Sequence, residues 1–306
     1  MGPVGQILAV HLKQAGCEVA ICEMDIDKLN LIRQKGIVLT GKIEKTEYFK
    51  YVYGSIDELV RHDFHILISA VKAYHVNLLL KEIKKLERSD IFLLIAQNGI
   101  DIRKKYLCIF NESHILRMVI NFAGNLQAPN ITNVTFFNPP NYIGSVNDTQ
   151  PEMAKWVADV LNSVNMETKV TDSFEIMDQV WAKTILNAAL SPLCGIAKLT
   201  MKEAMDHPDT LEIVEQTIYE AVEVARAEGI KIQDNFVKLA IRYLQNAGDH
   251  LPSLAVDLLN KRPTEINFMN GKIVEYGRKH YIKTPLNLTF TNLVNAISDK
   301  NGLIRS

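Results

Sequence analysis

Residues Met1–Leu29 run MGPVGQILAVHLKQAGCEVAICEMDIDKL. Gly2 and Gly5 have the spacing of the last two glycines of a G-x-G-x-x-G loop, with Pro3 and Val4 between them. A helix-like apolar run follows at Ile7, Leu8, Val10 and Leu12, and then a strand-like run at Val19–Cys22. In a dinucleotide-binding unit the second glycine lets the backbone approach a pyrophosphate, and the third lets the helix pack close to the sheet. The helix N-terminus adds free N–H groups and partial positive charge for the phosphates. Glu23 stands about 20 residues after the loop, where a carboxylate accepts from a ribose 2′-hydroxyl and repels a 2′-phosphate. The competing reading of Glu23 is a solvated acid in a loop that also holds Asp25 and Asp27.

The strand that should precede such a loop, and the loop's first glycine, are absent from the sequence. A central strand of about 5–6 residues carries on the order of 10 ladder bonds at roughly 0.5–1.5 kcal/mol each. Its loss rivals the ~5–15 kcal/mol stability of a domain. The expectation is therefore a natural product that begins upstream with a strand ending in glycine, Met1 being an internal methionine.

Working outward, the first half alternates apolar runs with helical stretches. Strands are expected at 51–53, 64–69, 91–96, 115–121, 134–137 and 141–143, with a helix over Tyr74–Leu86. Such alternation marks a sheet with crossover helices. After about Asp172 the periodicity turns helical: 174–190, 209–228, 234–247, 265–280 and 285–298. Asp172 is placed to cap the first of these, with Glu175 three residues on. The expected architecture is an α/β, Rossmann-like nucleotide-binding domain over 1–172 and an all-helical substrate domain over 173–306.

Composition narrows the function classes. The 306 residues are 47% hydrophobic and 23% charged with net charge −1, which argues against nucleic acid or an anionic membrane as principal partner. No uninterrupted apolar run reaches the roughly 18 residues of a membrane span. Cys17, Cys22, Cys108 and Cys194 lack CxxC spacing and read as buried thiols in a reducing compartment, the cytoplasm by default. The eight histidines form neither H-x-x-x-H nor H-E-x-x-H, so no metal site is expected.

The chemistry concentrates in three stretches. LLIAQNGI (93–100) ends a strand in a polar turn, where Asn98 and Gly99 face the ligand side of a doubly wound sheet or simply make a turn. In VWAKTILNAALSPLCG (180–195), Lys183, Asn187 and Ser191 fall four apart on one helix face, opposite apolar positions. A lysine in such a helix needs a partner or a task, and beside a reducible carbonyl it can give a proton as hydride arrives. The bland alternative is a lysine that runs along apolar surface to water. In LPSLAVDLLNKRPTEINFMNGKIVEYG (251–277), Ser253 and Asp257 are again four apart, and Glu265 opens an apolar helix. Glu265 either pairs with Lys183 or complements the helix macrodipole.

Together these stretches resemble the ketopantoate reductase family (2-dehydropantoate 2-reductases) over nearly the whole chain. MGPVGQILAVHLKQAGCEV resembles its nucleotide loop and first helix, SAVKAYHV its V-K-A-x motif, and QNGI its asparagine turn. WAKTILNAALSPLCGI matches K-x-x-x-N-x-x-x-[NS]-P-L, and SLAVDLLNKRPTEINFMNGKIVEYG matches S-x-x-x-D-x-x-x-x-R-x-T-E-I-[DN]-x-x-N-G. The resemblance implies Lys183 as general acid, with Glu265 supporting substrate and cofactor. It implies Asn98, Asn187, Ser191 and Ser253 as holders of a small 2-oxo acid, with Asp257 behind Ser253. Gly2, Pro3, Val4, Gly5, Glu23, Lys72, Asn98, Gly99 and Ala123 would line the cofactor. The implied reaction is NADPH- or NADH-dependent reduction of 2-dehydropantoate to (R)-pantoate, and a homodimer is compatible with it. Two departures stand out: Ser191 replaces an asparagine common in the family, and Glu23 replaces a basic neighbourhood, which favours NADH. They leave open an NAD-dependent D-2-hydroxyacid dehydrogenase acting on another branched 2-oxo acid. A catalytically silent nucleotide-binding paralogue is a further alternative, opposed by the retention of Lys183, Asn187, Ser253 and Glu265.

Overall fold

A computed structural model describes residues 1–86 and 90–303. The chain divides into two compact units, residues 1–97 with 103–176 and residues 98–102 with 177–303. The short segment 98–102 therefore belongs with the C-terminal unit although N-terminal chain flanks it on both sides.

The N-terminal unit is the Rossmann-like α/β part. Its strands are β1 (Ala20–Cys22), β2 (Ile37–Gly41), β3 (Lys45–Glu47), β4 (Tyr51–Tyr53), β5 (Ile66–Ser69), β6 (Phe92–Ile95), β7 (Ile115–Val119), β8 (Phe122–Ala128), β9 (Ile131–Phe137), β10 (Asn141–Ser145) and β11 (Thr168–Val170). They form a five-stranded sheet in the order β11-β10-β7-β6-β5, a parallel pair β1-β4, and a four-stranded sheet β3-β2-β9-β8. Within the five-stranded sheet β5, β6 and β7 are parallel, which needs crossovers between them. Helix α4 (Val76–Ile83) supplies the first, inside the expected 74–86, between short 3₁₀ turns. The other helices here are α1 (Pro3–Gln14), α2 (Ile26–Lys35), α3 (Ile56–Leu59), α5 (Ile102–Tyr106), which begins in the segment 98–102, and α6 (Pro151–Asn162).

Helix α1 lies against the four-stranded sheet. Ile7, Leu8 and Val10 join Ile21, Leu29, Ile32, Leu94, Leu116 and Ile143 in one core. Gln6 ties the helix to the β8–β9 hairpin, donating to the Pro129 carbonyl at 2.7 Å and accepting from Thr132 Oγ1 at 2.7 Å. This four-stranded sheet is a correction to the sequence reading, which placed no strand at β2, β3 or β8. Strand β3 (KTE) and the outward end of β8 are half-exposed to exposed and polar, so the apolar alternation that marks a strand is absent there, whereas β2 (IVLTG) carries it at Ile37 and Leu39 and was passed over. A second correction concerns the cysteines: Cys194 alone is buried, Cys17 and Cys22 are half-buried, and Cys108 is exposed.

The C-terminal unit is helical: α7 (Ser173–Ala197, belonging here from Met177), α8 (Met201–Asp206), α9 (Pro208–Ala227), α10 (Phe236–Gln245), α11 (Ser253–Leu259), α12 (Asn270–Lys279) and α13 (Pro285–Lys300). Helix α9 packs against α8, α10, α12 and α13, while α11 and α12 both meet α13. Asp172 caps α7 as expected, its Oδ1 accepting from the Phe174 and Glu175 N–H groups at 3.0 and 2.7 Å. By length and composition α7 could cross a membrane, but 67% of its most apolar window is buried inside the protein. The single helix expected over 265–280 is instead a 3₁₀ turn, Ile266–Phe268, and α12, separated by Met269 at φ −115°, ψ −93°.

Candidate functional site

In the C-terminal unit, α7 supplies the stripe that the spacing anticipates. Lys183 and Asn187 are half-buried and Ser191 is buried. At roughly 100° per residue, Trp181 lies on the opposite side of the helix from Lys183, and Ala188 is turned roughly 140° from Lys183 and roughly 100° from Asn187. That opposite side meets α12. Trp181 packs edge-on to Tyr276 with ring centroids 5.3 Å apart, and Asn270 Nδ2 donates to the Ala188 carbonyl at 2.9 Å. Because the contacts step back along α7 as α12 advances, the two helices run antiparallel.

Helix α11 approaches the C-terminal half of α7. A Cβ at Gly195 would come within 3.0 Å of Leu258 and 3.2 Å of the Ala255 Cα, so only a glycine allows this spacing without a shift. Ser253 is the exposed first residue of α11, and Asp257 is buried in its second turn. Arg262 grips Asp257, with its guanidinium 3.1 Å from the carboxylate and its N–H donating to the Asp257 carbonyl at 2.8 Å.

The turn after Asn98 meets the 3₁₀ turn after Glu265 through backbone. Glu265 is buried at the head of the 3₁₀ turn, where its carbonyl accepts from the Phe268 N–H at 3.0 Å. The Phe268 carbonyl in turn accepts from the Ile100 N–H at 3.0 Å. Gly99, at φ 103°, sits so near that a Cβ would be 2.8 Å from the Phe268 Cβ and 2.9 Å from its carbonyl oxygen. Asp101 follows in the left-handed region at φ 64°. Its carboxylate accepts from the Tyr276 hydroxyl at 3.0 and 2.9 Å and pairs with Lys272 at 3.3 Å. The sequence reading missed Asp101, Lys272 and Tyr276. The available signal was an acid directly after the asparagine turn.

In the N-terminal unit, Gly2 precedes α1, and Pro3 takes the first helical position, where its missing N–H costs nothing. The helix N-terminus has no side-chain cap, and a Cβ at Gly2 would meet no atom within 4 Å. Gly5 is tight: its Cβ would be 2.6 Å from the Met1 side chain and 3.6 Å from Ala70, just past the end of β5. Open backbone at Gly2 and uncapped N–H groups, with Val4 in the first turn, fit a bound pyrophosphate.

Glu23 is buried directly after β1, accepts from the Asp25 N–H at 2.9 Å and from the Met1 amine, and pairs with Lys28 across 3.6 Å. Burial pushes its carboxyl up, but these hydrogen bonds and positive charges outweigh burial and hold it below the usual range. Lys72 lies at the C-terminal end of β5, heading the 3₁₀ turn at Ala73–His75, and Ala123 lies half-buried in β8 opposite Phe136. A buried trio also escaped the sequence reading. The Tyr106 hydroxyl lies 2.6 Å from Ser69 Oγ and 3.2 Å from Gln97 Oε1, just past the ends of β5 and β6, and burial pushes the phenol up. Among the described residues, no group of three or more histidine, cysteine or acidic side chains is placed to hold a metal.

The family model "Ketopantoate reductase PanE/ApbA" matches residues 1–148, and "Ketopantoate reductase PanE/ApbA C terminal" matches residues 175–298. A 2-dehydropantoate 2-reductase of Streptococcus pyogenes serotype M3 is 26% identical over 96% of this chain and 95% of its own. One from Pyrococcus abyssi is 25% identical over 96% and 94%. The fold is shared with D-mandelate dehydrogenase solved with NADH and anilino(oxo)acetate, at TM-score 0.87 and 23% identity over 99% of this chain and 97% of that one. With both family models matched and relatives aligned across almost its full length, the chain belongs to the ketopantoate reductase family.

Proposed function

We propose that this protein is a cytoplasmic oxidoreductase that reduces 2-dehydropantoate to (R)-pantoate, the step that feeds pantothenate and coenzyme A synthesis. The observation that carries the reading is the Lys183–Asn187–Ser191 stripe, a cation and two hydrogen-bonding groups four residues apart on one face of a helix whose segment from Val180 to Ala197 is otherwise mostly apolar. A bound reduced nicotinamide supplies the hydride. Lys183 holds a proton at Nζ and delivers it to the oxygen of the 2-oxo group. The amides of Asn98 and Asn187 and the hydroxyls of Ser191 and Ser253 orient the substrate's carboxylate and hydroxyls, with Asp257 steadying Ser253. Glu265 accepts from substrate or pairs with Lys183. Holding carbonyl and ammonium at contact distance turns a bimolecular proton transfer into a positioned one.

Gly2, Pro3, Val4 and Gly5 take the pyrophosphate, Glu23 the ribose, and Lys72, Gly99 and Ala123 line the dinucleotide. The ionised, buried carboxylate of Glu23 supports NADH over NADPH, because a 2′-phosphate there meets like charge. The same residue, with Ser191 in place of a longer amide, supports a second reading in which another branched 2-oxo acid is reduced.

The test is oxidation of NADH and of NADPH with 2-dehydropantoate and a panel of 2-oxo acids. Lys183→Ala should lower kcat roughly 1,000-fold and leave the dinucleotide Kd nearly unchanged. A variant retaining more than about a tenth of wild-type turnover would remove Lys183 from the chemistry.

A further inference from the structure

A buried polar contact between α12 and α7 lies behind the α7 stripe. Helix α7 runs through Pro192. Proline has no N–H, so the carbonyl four residues earlier, that of Ala188, loses its helical donor, and the proline ring crowds it as well. The Asn270 side chain supplies the missing donor from α12, 82 residues away in sequence, with Nδ2 at 2.9 Å from the Ala188 oxygen. Ala188 and Asn270 are both fully buried.

The direction of this bond is forced from further back. Glu220 on α9 accepts from the Leu286 and Asn287 N–H groups at 2.8 and 3.0 Å and from Asn287 Nδ2 at 2.8 Å. A carboxylate offers only acceptors to such a set. Asn287, also fully buried, must therefore turn its Oδ1 toward Asn270, and it accepts there from Asn270 Nδ2 at 3.0 Å. Both N–H groups of Asn270 are thus committed, one to Asn287 and one to Ala188. Its Oδ1 is left buried with no hydrogen-bond partner. Flipping the amide would satisfy that oxygen's neighbourhood no better, because it would set an acceptor against two acceptors. An orphaned buried acceptor is costly, so a site that keeps one has a use for the donor on the other side.

We propose that Asn270 is a positioning residue for the 2-oxo acid. It takes the carbonyl that Pro192 leaves open and so fixes the turn of α7 that carries Asn187 and Ser191, while Asn287 and Glu220 hold Asn270 in its one productive orientation. This inference rests on the proposed 2-oxo acid reductase reading. Lys183 lies more than a turn before the interrupted carbonyl, so loss of Asn270 should disturb substrate holding more than proton delivery.

The test compares wild type, Asn270→Ala, Asn270→Asp, Pro192→Ala and the Pro192→Ala/Asn270→Ala double variant. Steady-state kinetics and hydrogen exchange of amides 189–196 are the two readouts. Asn270→Ala and Asn270→Asp should raise KM for the 2-oxo acid roughly tenfold with kcat changed less than about threefold. They should also speed exchange in that segment. Pro192→Ala returns an N–H to residue 192, so Asn270→Ala made in that background should cost far less in KM and in exchange protection. A merely structural Asn270 would lower the melting temperature with KM unchanged and no relief from Pro192→Ala, and that result overturns the inference while the activity stands. If wild type reduces no 2-oxo acid, the functional reading fails together with the positioning role. Unchanged exchange in Asn270→Ala removes even the structural premise.

Discussion

Each unit has a glycine turn proposed to meet the dinucleotide, and the two turns are built in opposite ways. At Gly2 an added methyl would meet nothing within 4 Å, whereas at Gly99 it would collide with Phe268 at 2.8 Å in a backbone already at φ 103°. The first turn is open where a ligand's phosphates would come. The second is closed by packing, its neighbour Asp101 also left-handed and clasped by Tyr276 and Lys272. Glycine serves access in one place and close packing in the other, a distinction that the letter G does not carry.

The sharpest way to break the contrast is Gly99→Ala. It should destabilise by about 3 kcal/mol, combining positive-φ strain with a backbone clash, read as a lowered urea midpoint at unchanged m. A midpoint unchanged from wild type would put both turns in one class.

Next in size is the acid response of α1, the helix that the open turn begins. His11 is buried with Nδ1 donating to the Ile7 carbonyl at 2.7 Å, and burial lowers its pKa from 6.5 to about 4. The unfolded chain then takes up a proton near pH 6.5 that the folded chain refuses until about pH 4. The stabilisation is therefore complete above pH 6.5 and is lost as pH falls toward 4. Between pH 7 and pH 5 this amounts to about 2 kcal/mol. Denaturation of wild type and His11→Gln at both pH values isolates it, and equal losses in the two proteins would assign the acid sensitivity elsewhere.

Tyr276→Phe loosens only the closed turn. Removing a hydroxyl that Asp101 accepts should cost about 1–2 kcal/mol, with faster hydrogen exchange at residues 98–102. Unaltered exchange would mean that the Ile100–Phe268 bond suffices.

The smallest stability effect belongs to Gly2→Ala, within about 0.5 kcal/mol of wild type, accompanied by a weaker dinucleotide Kd. A stable variant that binds dinucleotide as before would show that the open turn is not the phosphate site.

Legibility followed range. The 51–53 strand, the 174–190 helix and the Asp172 cap were readable because each rests on neighbours in sequence. Helix α6 was readable too, with Pro151 at its first position and Ala154, Val157, Ala158 and Leu161 on one buried face, and the reading passed over it. The joining of β3, β2, β9 and β8 into one sheet was not, since it depends on pairing between Val38–Gly41 and Ile131–Val134, distant in sequence, and β3 is polar and half-exposed. The break at Met269 was equally hidden, because Glu265–His280 keeps an apolar period straight through it.

The sequence by itself determined the Rossmann-like and helical halves and the Lys183–Asn187–Ser191 stripe, because 3.6-residue periodicity and four-residue spacing act within one helix. What braces the helix behind that stripe depends on tertiary packing. A proline shows in sequence that a carbonyl will be orphaned, but only the packing of α12 on α7 reveals that Asn270 satisfies it. Hydrogen-bond direction, set by Glu220 through Asn287, is a property of the assembled network and of none of its segments.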